Sequence, residues 1–243
     1  MTRHLLITGG TRGIGAAVAE LALEAGDVVT LTCRTESPES RKIVERWAGR
    51  ATVELVDAGD VDAVEALVER AVAERGPLDV VVANAAQIGV IGAFVESSIE
   101  HARRILDVNV VGVAALAQAA ARHWIAEGRP GVIVTLGSVA AQSGAPGEYP
   151  VYAASKAAVE SLTRGLGREL AEHGIRVVCV APGTTDTGMH ASAGDPDRAA
   201  RLATRLPFSR VAEPIEVARA VLWAASNDAS YVTATTITVA GGQ

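Results

Sequence analysis

Aromatic residues are scarce in this chain of 243 residues: Phe, Trp and Tyr together supply 3%. A core without many large rings must be built from Val, Leu, Ile and Ala, and an apolar fraction of 49% supplies them amply. Cysteine is almost absent. Cys33 and Cys179 each fall in a strand-like run, which reads as two buried free thiols and a reducing, cytoplasmic setting. The five histidines show no H-x-x-x-H or related pairing, so no metal site is expected. Basic runs are missing too. The arginines are scattered and the net charge is −6, which argues against a nucleic-acid surface. No apolar stretch reaches the roughly 18 residues of a membrane span. The opening MTRHLLITGG enters a strand at once, so neither a signal peptide nor a membrane partner is expected.

What is present is a glycine-rich run, LLITGGTRGIG at Leu5–Gly15. Apolar residues lead into it, and Ile14, Ala17, Val18 and Leu21 continue at helical spacing. Strand, tight turn and helix in that order suit a nucleotide phosphate. Glycines let the backbone turn sharply and approach a pyrophosphate, and the helix N-terminus offers unpaired N–H groups to an anion. The spacing is G-x-x-x-G-x-G, so alone the run is also compatible with an ordinary glycine-rich turn.

Strand-like and helical runs alternate throughout. Strands are expected over 4–8, 28–33, 52–56, 80–83, 131–136, 176–181 and 235–239. Helices are expected over 13–25, 99–127, 151–172 and 214–225, with further ones opening at Ser37-Pro38 and Asp60. Alternation of this kind requires a parallel sheet with helical crossovers. The reading is an α/β fold: a Rossmann-type, doubly wound parallel sheet of about seven strands with helices on both faces. No linker or repeat divides the chain, so residues 1–243 form a single dinucleotide-binding domain.

Ligands of such sheets bind at the carboxyl ends of the strands. After the second strand stands Cys33-Arg34, with no acid to grip an adenosine ribose. Arg34, with Arg12 in the glycine turn, would suit a 2′-phosphate, the mark of NADP(H). Asp57-Ala58 follows the third strand and could accept from the adenine amino group. Asn84-Ala85-Ala86 follows the fourth, offering small residues and an amide against the cofactor. The fifth strand ends at Ser138, and Tyr152 and Lys156 follow at helical i,i+4 spacing. An ammonium beside a phenol lowers its pKa and prepares it for proton transfer. A hydrolase reading of Ser138 fails, because its surroundings are L-G-S-V-A and not G-x-S-x-G.

Together these residues resemble the short-chain dehydrogenase/reductase family, with a likeness to 3-oxoacyl-carrier-protein reductases. The motifs are TGGTRGIG at 8–15, Asp57, NAA at 84–86, Asn109 in DVNVVG, Ser138, YAASK at 152–156, PG at 182–183 and YVTATTITVAGG near the end. The resemblance implies NADP(H)-dependent interconversion of a ketone and a secondary alcohol. Tyr152 would be the general acid/base, Lys156 its electrostatic partner on the nicotinamide ribose, and Ser138 the carbonyl-orienting group. Asn109 would support a water that relays protons to Lys156. The cofactor would lie on Gly9, Thr11, Arg12, Gly13, Ile14, Gly15, Arg34, Asp57, Ala58, Asn84 and Ala85. Its nicotinamide end would meet Tyr152, Lys156, Pro182, Gly183, Thr185 and Thr187. Departures are Ala86 for the usual glycine, a serine-to-tyrosine spacing one residue longer at Glu148-Tyr149-Pro150, Val178 for a common asparagine, and Ala234 for a usual glycine.

The insertion at about 184–210 reads as a substrate lid or a mobile loop, with Met189 and His190 as candidate substrate contacts. The resemblance further implies a homodimer or homotetramer, with Gly165 and Gly167 suited to close helix approach at a subunit contact. The alternative is a catalytically silent NADP-binding sensor or scaffold of the same fold, disfavoured by the presence of both Tyr152 and Lys156. An extended sugar-nucleotide epimerase is disfavoured because little chain follows the lid.

Overall fold

The computed structural model describes residues 2–243. Seven strands alternate with helices: β1 His4–Ile7, α1 Gly13–Glu24, β2 Val28–Cys33, α2 Pro38–Arg46, β3 Ala51–Leu55, α3 Val61–Arg75 and β4 Val80–Ala83. Then follow α4 Ile99–Leu106, α5 Gly112–Ala126, β5 Gly131–Leu136, α6 Ala140–Ser143, α7 Pro150–Glu169 and β6 Ile175–Pro182. The 184–210 segment carries α8 Met189–Ser192 and α9 Arg198–Ala203, and the chain continues through α10 Pro214–Ala224 to β7 Thr235–Val239. The strand and helix boundaries expected from the sequence agree within a few residues, and the caps read there form. Ser37 accepts from Ser40 N, and Asp60 accepts from Ala63 N.

All pairings are parallel, in the order β3-β2-β1-β4-β5-β6-β7. The chain winds one way from β1 to β3 and the other way from β4 to β7. The crevice between β1 and β4 is therefore the switch point of the sheet. Period-2 alternation splits the core in two. Leu5, Ile7, Val80 and Val82 face the layer of α1 and α10, whereas Leu6, Val81 and Ala83 face that of α3 and α5. Trp124, fully buried, is the largest side chain of the second layer and donates its indole N–H to Leu78 O at 2.8 Å.

Three expectations are corrected. The helix expected over 99–127 is interrupted by a π-helical turn, Asp107–Val111, centred on Asn109. The same segment, Ile99–Ala126, reaches a mean hydropathy of 1.4 over an 18-residue window, enough by length and composition for a membrane span. Here 56% of that window is buried within the fold, against the sheet and α3, so its apolarity is accounted for by the core. Gly167 packs inside the subunit: a Cβ there would sit 2.6 Å from Ala234 N. Ala234 in turn holds φ +55°, a conformation that suits the glycine it replaces. Only Gly165 of the pair opens onto free space.

Candidate active site

One cavity of about 910 Å³ opens at the carboxyl ends of the strands and runs from Arg34 to Arg198. Every site residue expected from the sequence lines it except Gly15 and Asn109. Gly15 stands behind the turn, where a Cβ would meet Gly9 O and Asn84 Nδ2 at 2.5 Å. Its absent side chain keeps α1 tight against the strand ends.

The glycine turn is held from below. Gly9 and Gly13 take φ +61° and +55°, which their lack of a Cβ permits. Asn84 does not present its amide to the cavity. Its Nδ2 donates to Thr8 O and Gly9 O, both at 2.9 Å, and clamps the turn. Thr8, which opens the TGGTRGIG motif, closes the clamp: its hydroxyl accepts from Asn84 N and Ala85 N at 3.1 Å. Gly13 and Ile14, which begin α1, line the cavity at this turn, where a helix leaves its first N–H groups without intrahelical partners.

At the adenosine end, Arg12 and Arg34 are exposed and lack any acidic partner among the described residues. Asp57 is not free to act alone. Arg104 Nη2 donates to both its carboxylate oxygens, and Gly59 N donates to Oδ1 at 2.9 Å. Burial raises the carboxyl pKa, but Arg104, Gly59 and Arg34 outweigh it and hold the group below its ordinary range. Arg104, which no local pattern marks, thus occupies the carboxylate expected to meet the adenine.

At the other end Tyr152 is buried under the mouth of β5, with Ser138 beside it. The expected lowering of the phenol pKa does not occur. Burial dominates and pushes Tyr152 up to about 12, against the pull of the Ser138 hydroxyl. Lys156 is buried too, and desolvation drags it down to about 8. Its Nζ donates to Leu136 O at 2.7 Å and lies 5.6 Å from the Tyr152 ring centroid. The ammonium is near the phenol ring but makes no hydrogen bond to its hydroxyl among the described residues.

Asn109 is fully buried behind the cavity. Its Oδ1 accepts from Gln87 N and its Nδ2 donates to Gln87 O, both at 2.8 Å. Nδ2 also donates to Ser155 Oγ at 2.9 Å, and that hydroxyl donates to Tyr152 O at 2.6 Å. Asn109 therefore ties the segment after β4 to the helix that carries Tyr152. Both of its amide N–H groups are committed to that tie, which leaves neither free for the expected relay water. Ser155, within the YAASK run, was not singled out.

The 184–210 segment is docked onto the loop before α7 through Arg198. Gly92 N donates to Glu148 O and Ile91 N to Ala193 O, so the segment after β4 is wedged between that loop and residues 184–210. Met189 and His190 line the cavity as expected. His190 contacts Thr185 O at 3.3 Å, and burial, then Arg198, holds its pKa below the usual histidine value.

Comparison with known proteins accords with this geometry. A family profile described as "Enoyl-(Acyl carrier protein) reductase" matches residues 9–243. An uncharacterised oxidoreductase of Escherichia coli (strain K12) is 37% identical, over 98% of both chains. The 3β-hydroxysteroid dehydrogenase 1 of Eggerthella lenta is 37% identical, over 99% of this chain and 93% of its own length. Among solved structures, a short-chain type dehydrogenase/reductase from Mycobacterium marinum superposes with a TM-score of 0.91 at 33% identity, covering 99% and 94% of the two chains. The 3-ketoacyl-(acyl-carrier-protein) reductase of Brucella melitensis, complexed with NADH, gives a TM-score of 0.90 at 27% identity, over 99% and 97%. On these matches, and on a seven-stranded parallel sheet with its cavity at the switch point, the chain belongs to the short-chain dehydrogenase/reductase family.

Proposed function

We propose that this oxidoreductase interconverts a ketone and a secondary alcohol with NADP(H), Tyr152 acting as general acid/base. The observation that carries the reading is the buried Tyr152 phenol beside Ser138, at the end of a cavity whose other end is a glycine cradle. When bound, the nicotinamide supplies or accepts the hydride. Thr11–Ile14 would hold the pyrophosphate, and Pro182, Gly183, Thr185 and Thr187 would border the nicotinamide end. Arg12 and Arg34, neither of them in an ion pair among the described residues, support the preference for a 2′-phosphate.

Chemistry falls to three side chains. Ser138 donates a hydrogen bond to the substrate carbonyl and fixes its direction. Tyr152 delivers its proton to the same oxygen as negative charge develops there. A phenol with a pKa near 12 carries that proton throughout the neutral range, which suits the acid role in reduction. Lys156, poised near 8, holds the ribose and replenishes the proton. Asn109 keeps the Tyr152 helix in register with the cofactor floor. Residues 1–243 act as one domain, with 184–210 as a lid that excludes water. A cytoplasmic homodimer or homotetramer fits the half-exposed Leu106 and Val111 on one helical face, and light scattering at micromolar concentration checks the assembly.

A panel of ketones and secondary alcohols, followed by NADPH absorbance in both directions, tests the activity. Tyr152→Phe is expected to lower turnover about 10²–10⁴-fold with cofactor affinity retained. Tyr149→Phe, which alters the neighbouring phenol, is expected to be far milder. The opposite ranking would refute the assignment.

A further inference from the structure

Arg198 stands on the lid helix α9 with 7% of its side chain exposed, and it lines the same cavity as Ser138 and Tyr152. Its Nε and Nη2 donate to the Glu148 carboxylate at 3.3 and 2.7 Å. Nη2 also donates to the Tyr149 hydroxyl at 2.6 Å, and the guanidinium carbon lies 5.1 Å from the Tyr149 ring centroid. That ring meets Tyr152 edge-on at 5.5 Å. The nearby lid carboxylate Asp195 is taken by Arg201, and His190 is held toward its neutral form. Glu148 is therefore the counter-ion of Arg198. Nη1 makes no hydrogen bond among the described residues. Around the pair the walls are apolar: Ile88, Ala145, Tyr149 and Met189.

A buried arginine already paired with a carboxylate offers an incoming group a donor but little net charge. Without the carboxylate it becomes an uncompensated cation in a low dielectric. We propose that the Glu148–Arg198 pair determines specificity in the substrate chamber. It admits a substrate whose body beyond the reacting carbonyl is uncharged and bears an acceptor oxygen for Nη1. It excludes a carboxylate there, because Glu148 already occupies the guanidinium. The lengthened serine-to-tyrosine loop is what brings Glu148 and Tyr149 to the lid. This inference rests on the ketone/alcohol reading of the same site.

Two probes of matched shape test it: cyclohexanecarboxamide and cyclohexanecarboxylate, titrated calorimetrically into NADPH-loaded protein. The unaltered protein is expected to bind the amide at least about tenfold more tightly. Glu148→Gln is expected to strengthen carboxylate binding about 10- to 100-fold, the worth of a charge-assisted hydrogen bond, and to leave the amide little changed. Glu148→Ala is expected to strengthen carboxylate binding in the same way. Adding Arg198→Gln to Glu148→Gln is expected to abolish the gain. Carboxylate binding to the unaltered protein as tight as the amide, an unchanged ratio in both Glu148 variants, or no binding of either probe would overturn the proposal. Turnover of neutral ketones is measured separately. Intact turnover with an unchanged ratio sinks the charge filter alone, whereas a shifted ratio without turnover supports the filter and sinks the reductase reading.

Discussion

Replacing Lys156 by methionine keeps the length of the side chain and removes its charge. In the unaltered protein the lysine is 3% exposed, and burial lowers its pKa from 10.5 to about 8. Below pH 8 both folded and unfolded chains carry the proton, and the fold bears the full cost of a buried ammonium. At about 1.4 kcal/mol per pKa unit that cost is about 3 kcal/mol. Between pH 8 and 10.5 the unfolded chain keeps the proton that the folded chain has released. The unfolded state then binds more protons, so stability rises with pH across that window. Lys156→Met has no such slope. The stability of the unaltered protein relative to the variant should therefore climb by about 2–3 kcal/mol from roughly pH 7 to pH 10. Taking the difference cancels groups common to both chains. Urea denaturation followed by tryptophan fluorescence across that range measures it, and NADPH-linked turnover at neutral pH should fall in the variant. A difference that stays flat with pH would refute the reasoning, because it would mean that the ammonium is solvated and that its desolvation sets nothing.

Arg34→Leu is expected to weaken NADPH binding about 10- to 100-fold and leave NADH nearly unchanged, as fluorescence titration would show. Equal losses for both cofactors would contradict the 2′-phosphate contact. Ala234→Gly relieves a left-handed alanine that touches Gly167. It is expected to raise stability by about 0.5–1 kcal/mol, or a few degrees in melting temperature, the steric relief exceeding the entropy glycine loses.

The sheet was legible because its strands are short β-branched runs with punctuated ends, and period-2 alternation sorts Leu5 and Ile7 from Leu6 without any knowledge of partners. The cavity was legible for a related reason: in a parallel sheet every strand end falls on one edge, so residues 34, 57, 84 and 138 had to converge. What lay hidden depends on distances between segments far apart in the chain. Arg104 and Asp57 are separated by 47 positions and Arg198 and Glu148 by 50, and neither arginine has a local pattern that marks it. Asn84 was placed correctly but aimed wrongly, since spacing gives position and not the direction of an amide. The phenol and ammonium were judged from their mutual spacing alone, whereas burial, a property of the whole fold, sets both pKa values.

The π turn at Asp107–Val111 is in effect a helix with one residue too many. Deleting a residue there would leave a straighter, regularly bonded helix, with everything on one side turned by about 100° relative to the other. Asn109 would then swing away from Gln87 and Ser155. The same turn would rotate the buried face of α5, Trp124 included, relative to α4, so the extra residue sets the phase of the core helix and of the site together. Libraries built on this scaffold should hold the length of that segment fixed and screen turnover alongside melting.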